Sequence, residues 1–185
     1  MKKTATIVMT AFCLLISSCG GGFYMLKKDA KPEIAAPPDK AILVIYRGTS
    51  FGFAVKIDNF IDNKFVGQTQ GKSYFVTEVE PGEHYVIGAS ENNSCAKINF
   101  EAGKVYYLLQ AIYPGVMFAR TGFEGSDPES FEKDLPSLSY FECCVEGKEL
   151  PTMDEEDYRE TVKDHEEELK KEPERHNDTN NLQGY

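Results

Sequence analysis

The sequence predicts an all-β protein. The expected fold is a single β-sandwich of about seven to eight short strands, followed by a C-terminal α-helix and a disordered tail. Three observations carry this expectation. β-favouring segments recur at roughly 8–12-residue spacing between residues 41 and 111. Turn chemistry separates them, with Pro81-Gly82 and Gly103 at the junctions. No stretch of this region has the 3.6-residue apolar period of a helix.

Ala41–Arg47 (AILVIYR) is a continuous apolar run and reads as a buried strand. Gly52–Asp58 alternates, which would put Phe53, Val55 and Ile57 on one face. Asn59–Asn63 reads as a turn, and a short strand runs through Phe65 and Val66. Ser73–Val79, His84–Ala89, Cys95–Phe100 and Val105–Ala111 follow, with turns at Glu80–His84, Ser90–Ser94 and Glu101–Lys104. Tyr113–Phe123 can hold one more strand, and Glu124–Ser137 reads as an acidic surface loop. Ser139–Val145 (SYFECCV) is the last strand, so the sandwich is expected over residues 41–150. Thr152–Glu155 has the capping-box pattern. Tyr158, Val162, His165 and Leu169 then recur at helical spacing, which predicts an acidic amphipathic helix over 151–172. Residues 173–185 are polar and read as a disordered tail.

The segment before the sandwich has a different purpose. Lys2 and Lys3 precede an apolar run, Ala5–Ile16, of signal-peptide length and too short to cross a bilayer. It ends in Ile16-Ser17-Ser18-Cys19, which resembles the bacterial lipobox. That resemblance implies cleavage between Ser18 and Cys19, loss of residues 1–18 with Cys13 among them, and a diacylglyceryl group on the Cys19 thiol. Two acyl chains suffice for durable anchoring where one does not. No Asp follows Cys19, and by the same resemblance this favours the outer membrane, with the domain in the periplasm. Residues 19–40, with Gly20–Gly22 at one end and Pro32, Pro37 and Pro38 at the other, read as a flexible tether.

The net charge is −10, and removing Lys2 and Lys3 makes the remaining chain more acidic still. That argues against a nucleic-acid partner, which rewards basic patches. It also leaves membrane attachment to the lipid rather than to charge. With Cys19 lipidated, Cys95, Cys143 and Cys144 remain. An exported compartment permits disulfides. The first arrangement expected is Cys95 with Cys143 or Cys144. A vicinal Cys143–Cys144 bridge is the second, and three reduced thiols the third.

Catalytic chemistry finds little to build on. His84 is the sole histidine of the sandwich region, and a triad with Ser139, Cys143 or Cys144 lacks a nucleophile elbow or an oxyanion loop. Asp164, His165 and Glu166–Glu168 suit a solvated helix face better than a metal site. No motif asks for a cofactor. Tyr106, Tyr107 and Tyr113 could form an exposed aromatic edge for a glycan or peptide, against the plainer reading as core.

The segments IDNKFVGQTQGKSYFVTEVEPGEHYV (61–86) and FEAGKVYY (100–107) resemble a bacterial envelope family filed as domain of unknown function 2846. The resemblance covers about residues 41–112. It implies a β-sandwich carried on a lipoprotein and brings no catalytic residues with it. The expectation is therefore a non-catalytic interaction or structural module, lipid-anchored in the envelope, that holds an envelope protein partner. The alternatives are a thiol-dependent redox protein or enzyme using Cys143 and Cys144, and a lipoprotein that binds a small ligand or glycan.

Overall fold

A computed structural model describes residues 24–114, 120–172, 179 and 182–185. Its strands, in chain order, are β1 (Met25–Lys28), β2 (Ala41–Arg47), β3 (Lys56–Ile61), β4 (Lys64–Gln70), β5 (Ser73–Val79), β6 (Gly82–Ala89), β7 (Asn93–Phe100), β8 (Val105–Tyr113), β9 (Arg120–Ser126) and β10 (Ser139–Cys143). Helix α1 (Pro128–Asp134) continues into a 3-10 turn, Leu135–Ser137, and α2 spans Glu155–Lys171. One sheet has the order β1-β10-β5-β2-β8-β9 and the other β4-β3-β6-β7. The all-β fold with a C-terminal helix is as the sequence indicates.

The apolar run of β2 explains the layering. All of its residues are buried, so both of its faces must be covered. Leu43 and Ile45 point between the sheets, where they meet Phe75, Val86, Ala96, Ile98, Phe100, Tyr106 and Leu108. Ile42, Val44 and Tyr46 point the other way, into a second cluster with Tyr74, Tyr107, Phe131, Leu138 and Tyr140. Phe131 comes from α1, so the helix and its 3-10 extension roof the outer face of the larger sheet. Phe131 meets the rings of Tyr46, Tyr74 and Tyr107 at 5.2, 5.3 and 5.3 Å between centroids. Burying each Leu, Ile or Phe of this kind contributes about 1.5–3 kcal/mol, and β2 collects that on both faces. A third cluster, Phe60, Phe65 and Ile87, lies on the outer face of the smaller sheet, with Met153 and Tyr158 packed against it. The layers run α1, larger sheet, smaller sheet, α2.

Several expectations need correction. There are ten strands among the described residues, not seven or eight. One of the extra strands, β1, falls in the segment read as a flexible tether. Met25 is buried and pairs with Cys143, and Lys28 pairs with Tyr140. The short apolar group of this segment, in which Met25 lies, completes the sheet edge that β10 leaves open. The strand placed at Gly52–Asp58 starts only at Lys56. Gly52 has φ +63°, which turns the chain, and Phe53 is 72% exposed rather than facing inward with Ile57. Asn59, read as turn, is fully buried in β3, and the reversal is confined to Asp62-Asn63.

The acidic loop at Glu124–Ser137 is instead the end of β9, then α1. Asp127 caps this helix by accepting from Ser130 N at 2.8 Å, and Pro128 opens it. Helix α2 is capped by Asp154 rather than by Thr152, with Asp157 N donating at 2.8 Å. The tail is not wholly loose. Tyr185 exchanges two backbone hydrogen bonds of 2.9 Å with Val105, where β9 no longer covers the edge of β8. Ser18 and Cys19, like the whole signal segment, lie outside the described residues.

Candidate functional site at the mouth of the sandwich

At the end where β2 begins and β5 finishes, the two sheets part to form a cleft of about 560 Å³. Its walls carry three of the reactive side chains that the sequence singled out, His84, Cys143 and Cys144. His84, from the start of β6, comes from one side. Asp62, from the β3–β4 reversal, sits beside it. Cys143 and Cys144, from the end of β10, form part of the lining, as do Lys40, Lys64 and Glu80.

The His84–Asp62 pair is held by the sheet. Asp62 N donates to Tyr85 O at 2.7 Å, and Tyr85 N donates back to Asp62 Oδ1 at 3.2 Å. The other carboxylate oxygen, Oδ2, lies 2.9 Å from His84 Nδ1. An ionised carboxylate only accepts, so His84 Nδ1 is the donor of this bond. Asp62 has φ +54°, a left-handed conformation that Asp tolerates better than most residues. The sequence marked His84 but missed Asp62. The missing signal is register: nothing local says that a hairpin turn after β3 lies beside the first residues of β6.

The cysteines are arranged differently from the first expectation. Cys143 and Cys144 are bonded to each other, and Cys95 is a free thiol. The reason is position. Cys95 and Cys143 both pack against the Phe60–Phe65–Ile87 cluster, but Cys95 lies on β7 at one edge of the smaller sheet, whereas β10, which carries Cys143, packs beside β4 at the other. Burial, with a lesser contribution from the nearby Glu166 carboxylate, pushes the Cys95 thiol up to about 12. Cys143 is half-buried at the edge of the inner core, while Cys144 is exposed.

Helix α2 is clamped by one carboxylate. Glu166 Oε1 accepts from Tyr85 Oη at 2.7 Å and from Lys97 Nζ at 3.1 Å. These bonds hold the Glu166 carboxyl below its ordinary value, the tyrosine contributing most. Burial and Glu166 push Tyr85 up to about 12, and hydrogen bonds to Glu83 and Glu166 raise Lys97. His165, read as part of the apolar stripe, is indeed buried in the helix contact. A larger groove of about 1060 Å³ runs beside α2 and is lined by Asp157, Glu160, Asp164 and Glu168.

The opposite end of the sandwich carries an aromatic loop. Arg47 closes β2 with no exposed surface. Its guanidinium donates to Val55 O at 2.9 Å, Phe51 O at 2.7 Å and Gly52 O at 2.6 Å. Burial lowers its pKa. This fork shapes the loop 48–55, which holds Phe51 52% and Phe53 72% exposed. Among the described residues the exposed aromatics are these two, Tyr113 and Tyr185. Tyr106 and Tyr107, offered as an aromatic edge, are core residues.

The family model "Protein of unknown function (DUF2846)" matches residues 37–123. Over that range the chain is similar to DUF2846. The resemblance read from residues 61–86 and 100–107 is thus borne out. The DUF2846 match takes in β2 through the first half of β9, with Arg47, the aromatic loop and the His84–Asp62 pair. β1, α1, β10 with its cysteines, and α2 lie outside it. An "Uncharacterized protein" of Haemophilus influenzae (strain ATCC 51907 / DSM 11121 / KW20 / Rd) is 34% identical over 98 residues, which is 52% of this chain and 58% of that protein. The match therefore spans little more than half the length of that relative. No solved structure matches the chain.

Proposed function

We propose that this is a lipid-anchored envelope protein whose sandwich serves as a non-catalytic interaction module. The anchor reading rests on Ile16-Ser17-Ser18-Cys19 at the end of a short apolar run. The interaction reading rests on one observation, the Phe51–Phe53 loop. Large aromatics at such exposure are costly to hold in water, and Phe and Tyr are favoured at the centres of protein contacts. Here a fully buried arginine is committed to holding them out.

Strand polarity supports a direction for the module. β1 starts at Met25, toward the end where β2 begins, whereas the aromatic loop follows the end of β2. The chain between Cys19 and Met25 can span at most ~20 Å. A lipid on Cys19 would keep the β1 end near the bilayer and turn Phe51 and Phe53 away from it, toward a partner in the aqueous compartment.

The test is intact mass of the protein taken from membranes, beside a Cys19→Ala variant. A chain beginning at Cys19 with diacylglyceryl mass, lost in the variant, supports the anchor. Site-specific photo-crosslinking from position 53 then tests the module. A discrete adduct that disappears when Phe51 is changed to Ser supports it. Crosslinking to lipid alone would replace it with a membrane-contact role.

A further inference from the structure

We propose that Cys143–Cys144 is a thiol–disulfide exchange site whose reductants are protein dithiols. Three observations carry this. The pair lines an open cleft of about 560 Å³. Its two sulfurs differ in access, since Cys144 is exposed and Cys143 half-buried against the core. The remaining thiol, Cys95, is half-buried and lines the other groove, beside α2, so it does not compete in this cleft.

The chemistry closes without a cofactor. A partner thiolate attacks Cys144 Sγ. The Cys143–Cys144 bond breaks, and its electron pair leaves on Cys143 Sγ, which takes up a proton. The partner's second thiolate then attacks the partner's own sulfur in the mixed disulfide. This expels Cys144 as a thiolate, which is protonated in turn. The partner has lost two electrons and two protons and holds a new disulfide, and Cys143 and Cys144 are a dithiol. Lys40 and Lys64 line the same cleft, but so do Asp62, Glu78 and Glu80, so access rather than charge selects the attacked sulfur. Exchange rate depends on which sulfur is reachable, which makes Cys144 the attacked atom and Cys143 the leaving one.

The proposal stands whether or not Cys19 carries lipid. It is tested on the full chain, isolated with thiols trapped by alkylation, using dithiothreitol as the dithiol. Native protein should resist alkylation at Cys143 and Cys144, and both should alkylate after brief dithiothreitol treatment without denaturant. Cys95 should label only after unfolding. In single variants incubated with glutathione disulfide, Cys143→Ser should form an adduct at Cys144 at least tenfold faster than Cys144→Ser forms one at Cys143. Free alkylation of both cysteines before reduction would overturn the proposal. So would a bridge to Cys95, reduction that requires denaturant, or equal adduct rates in the two variants.

Discussion

Tyr85 on β6 donates its hydroxyl hydrogen to Glu166 on α2 across 2.7 Å, and this bond ties the smaller sheet to a helix outside the family match. Because the contact holds the Glu166 carboxyl low, its contribution is complete above the unfolded carboxylate value of about 4.3 and is lost as pH falls through the depressed folded value. Tyr85→Phe should cost about 1 kcal/mol near neutrality. The melting temperature of the unmodified protein should fall more between about pH 5 and pH 3 than that of Glu166→Gln, in which the titrating group is gone. Parallel thermal melts of the two proteins check this, and identical pH dependence would show that Glu166 does not hold the helix.

Arg47 offers a second test. Arg47→Met keeps the stem but leaves the carbonyls of Phe51 and Val55 without their side-chain donor, while Gly52 O keeps the Val55 N–H. Each buried unsatisfied group costs about 1–3 kcal/mol, and relaxation of the loop toward water recovers part of this. The expected outcome is a loss of roughly 2–3 kcal/mol, with new protease cleavage between residues 48 and 55. Urea melts and limited proteolysis measure both.

A polar seam between the sheets gives the third. Gln110 Nε2 donates to Asn59 Oδ1 at 2.9 Å, Gln110 Oε1 accepts from Thr69, and all three residues are fully buried. Gly88 sits against this seam: a Cβ there would lie 2.7 Å from Gln110 Nε2 and 2.8 Å from Ser94 Oγ. Gly88→Ala should therefore destabilise the protein by about 1–3 kcal/mol, since the seam must shift and loses hydrogen bonds. Gln110→Leu should cost at least as much, because Asn59 and Thr69 lose their partner. Chemical denaturation of both variants is the measurement.

The aromatic loop separates stability from contact. Phe51→Ser with Phe53→Ser removes exposed side chains and should change stability by no more than about 0.5 kcal/mol. It should raise solubility, and Phe51→Ser alone should abolish the crosslink formed from position 53. A large loss of stability would mean that the two rings are structural.

Much of this architecture was legible in the sequence because the signals were local. The unbroken AILVIYR run foretold a strand buried on both faces. Alternation in residues 95–100 foretold β7, and Tyr158, Val162, His165 and Leu169 foretold the helix stripe. What escaped depended on distant partners. MLKK at 25–28 has no strand signature of its own and becomes β1 only because β10 lies beside it. Phe53 alternated correctly with Ile57, but Arg47 binds the intervening carbonyls and turns the loop outward. The cysteines were legible as a set but not as a pairing, because the pairing follows from the strand order, which puts β7 and β4 at opposite edges of the smaller sheet.

The position of β1 has a practical consequence. Soluble versions of anchored proteins are commonly made by discarding everything before the first strong strand, which here would mean cutting near Lys40. That cut would remove Met25–Lys28 and leave one side of β10 bare, with its amides and carbonyls open to any extended chain in solution. The trimmed protein should self-associate through that margin. A version beginning at Gly20 with Cys19 omitted keeps the margin covered, and is the one with which to begin biochemical work.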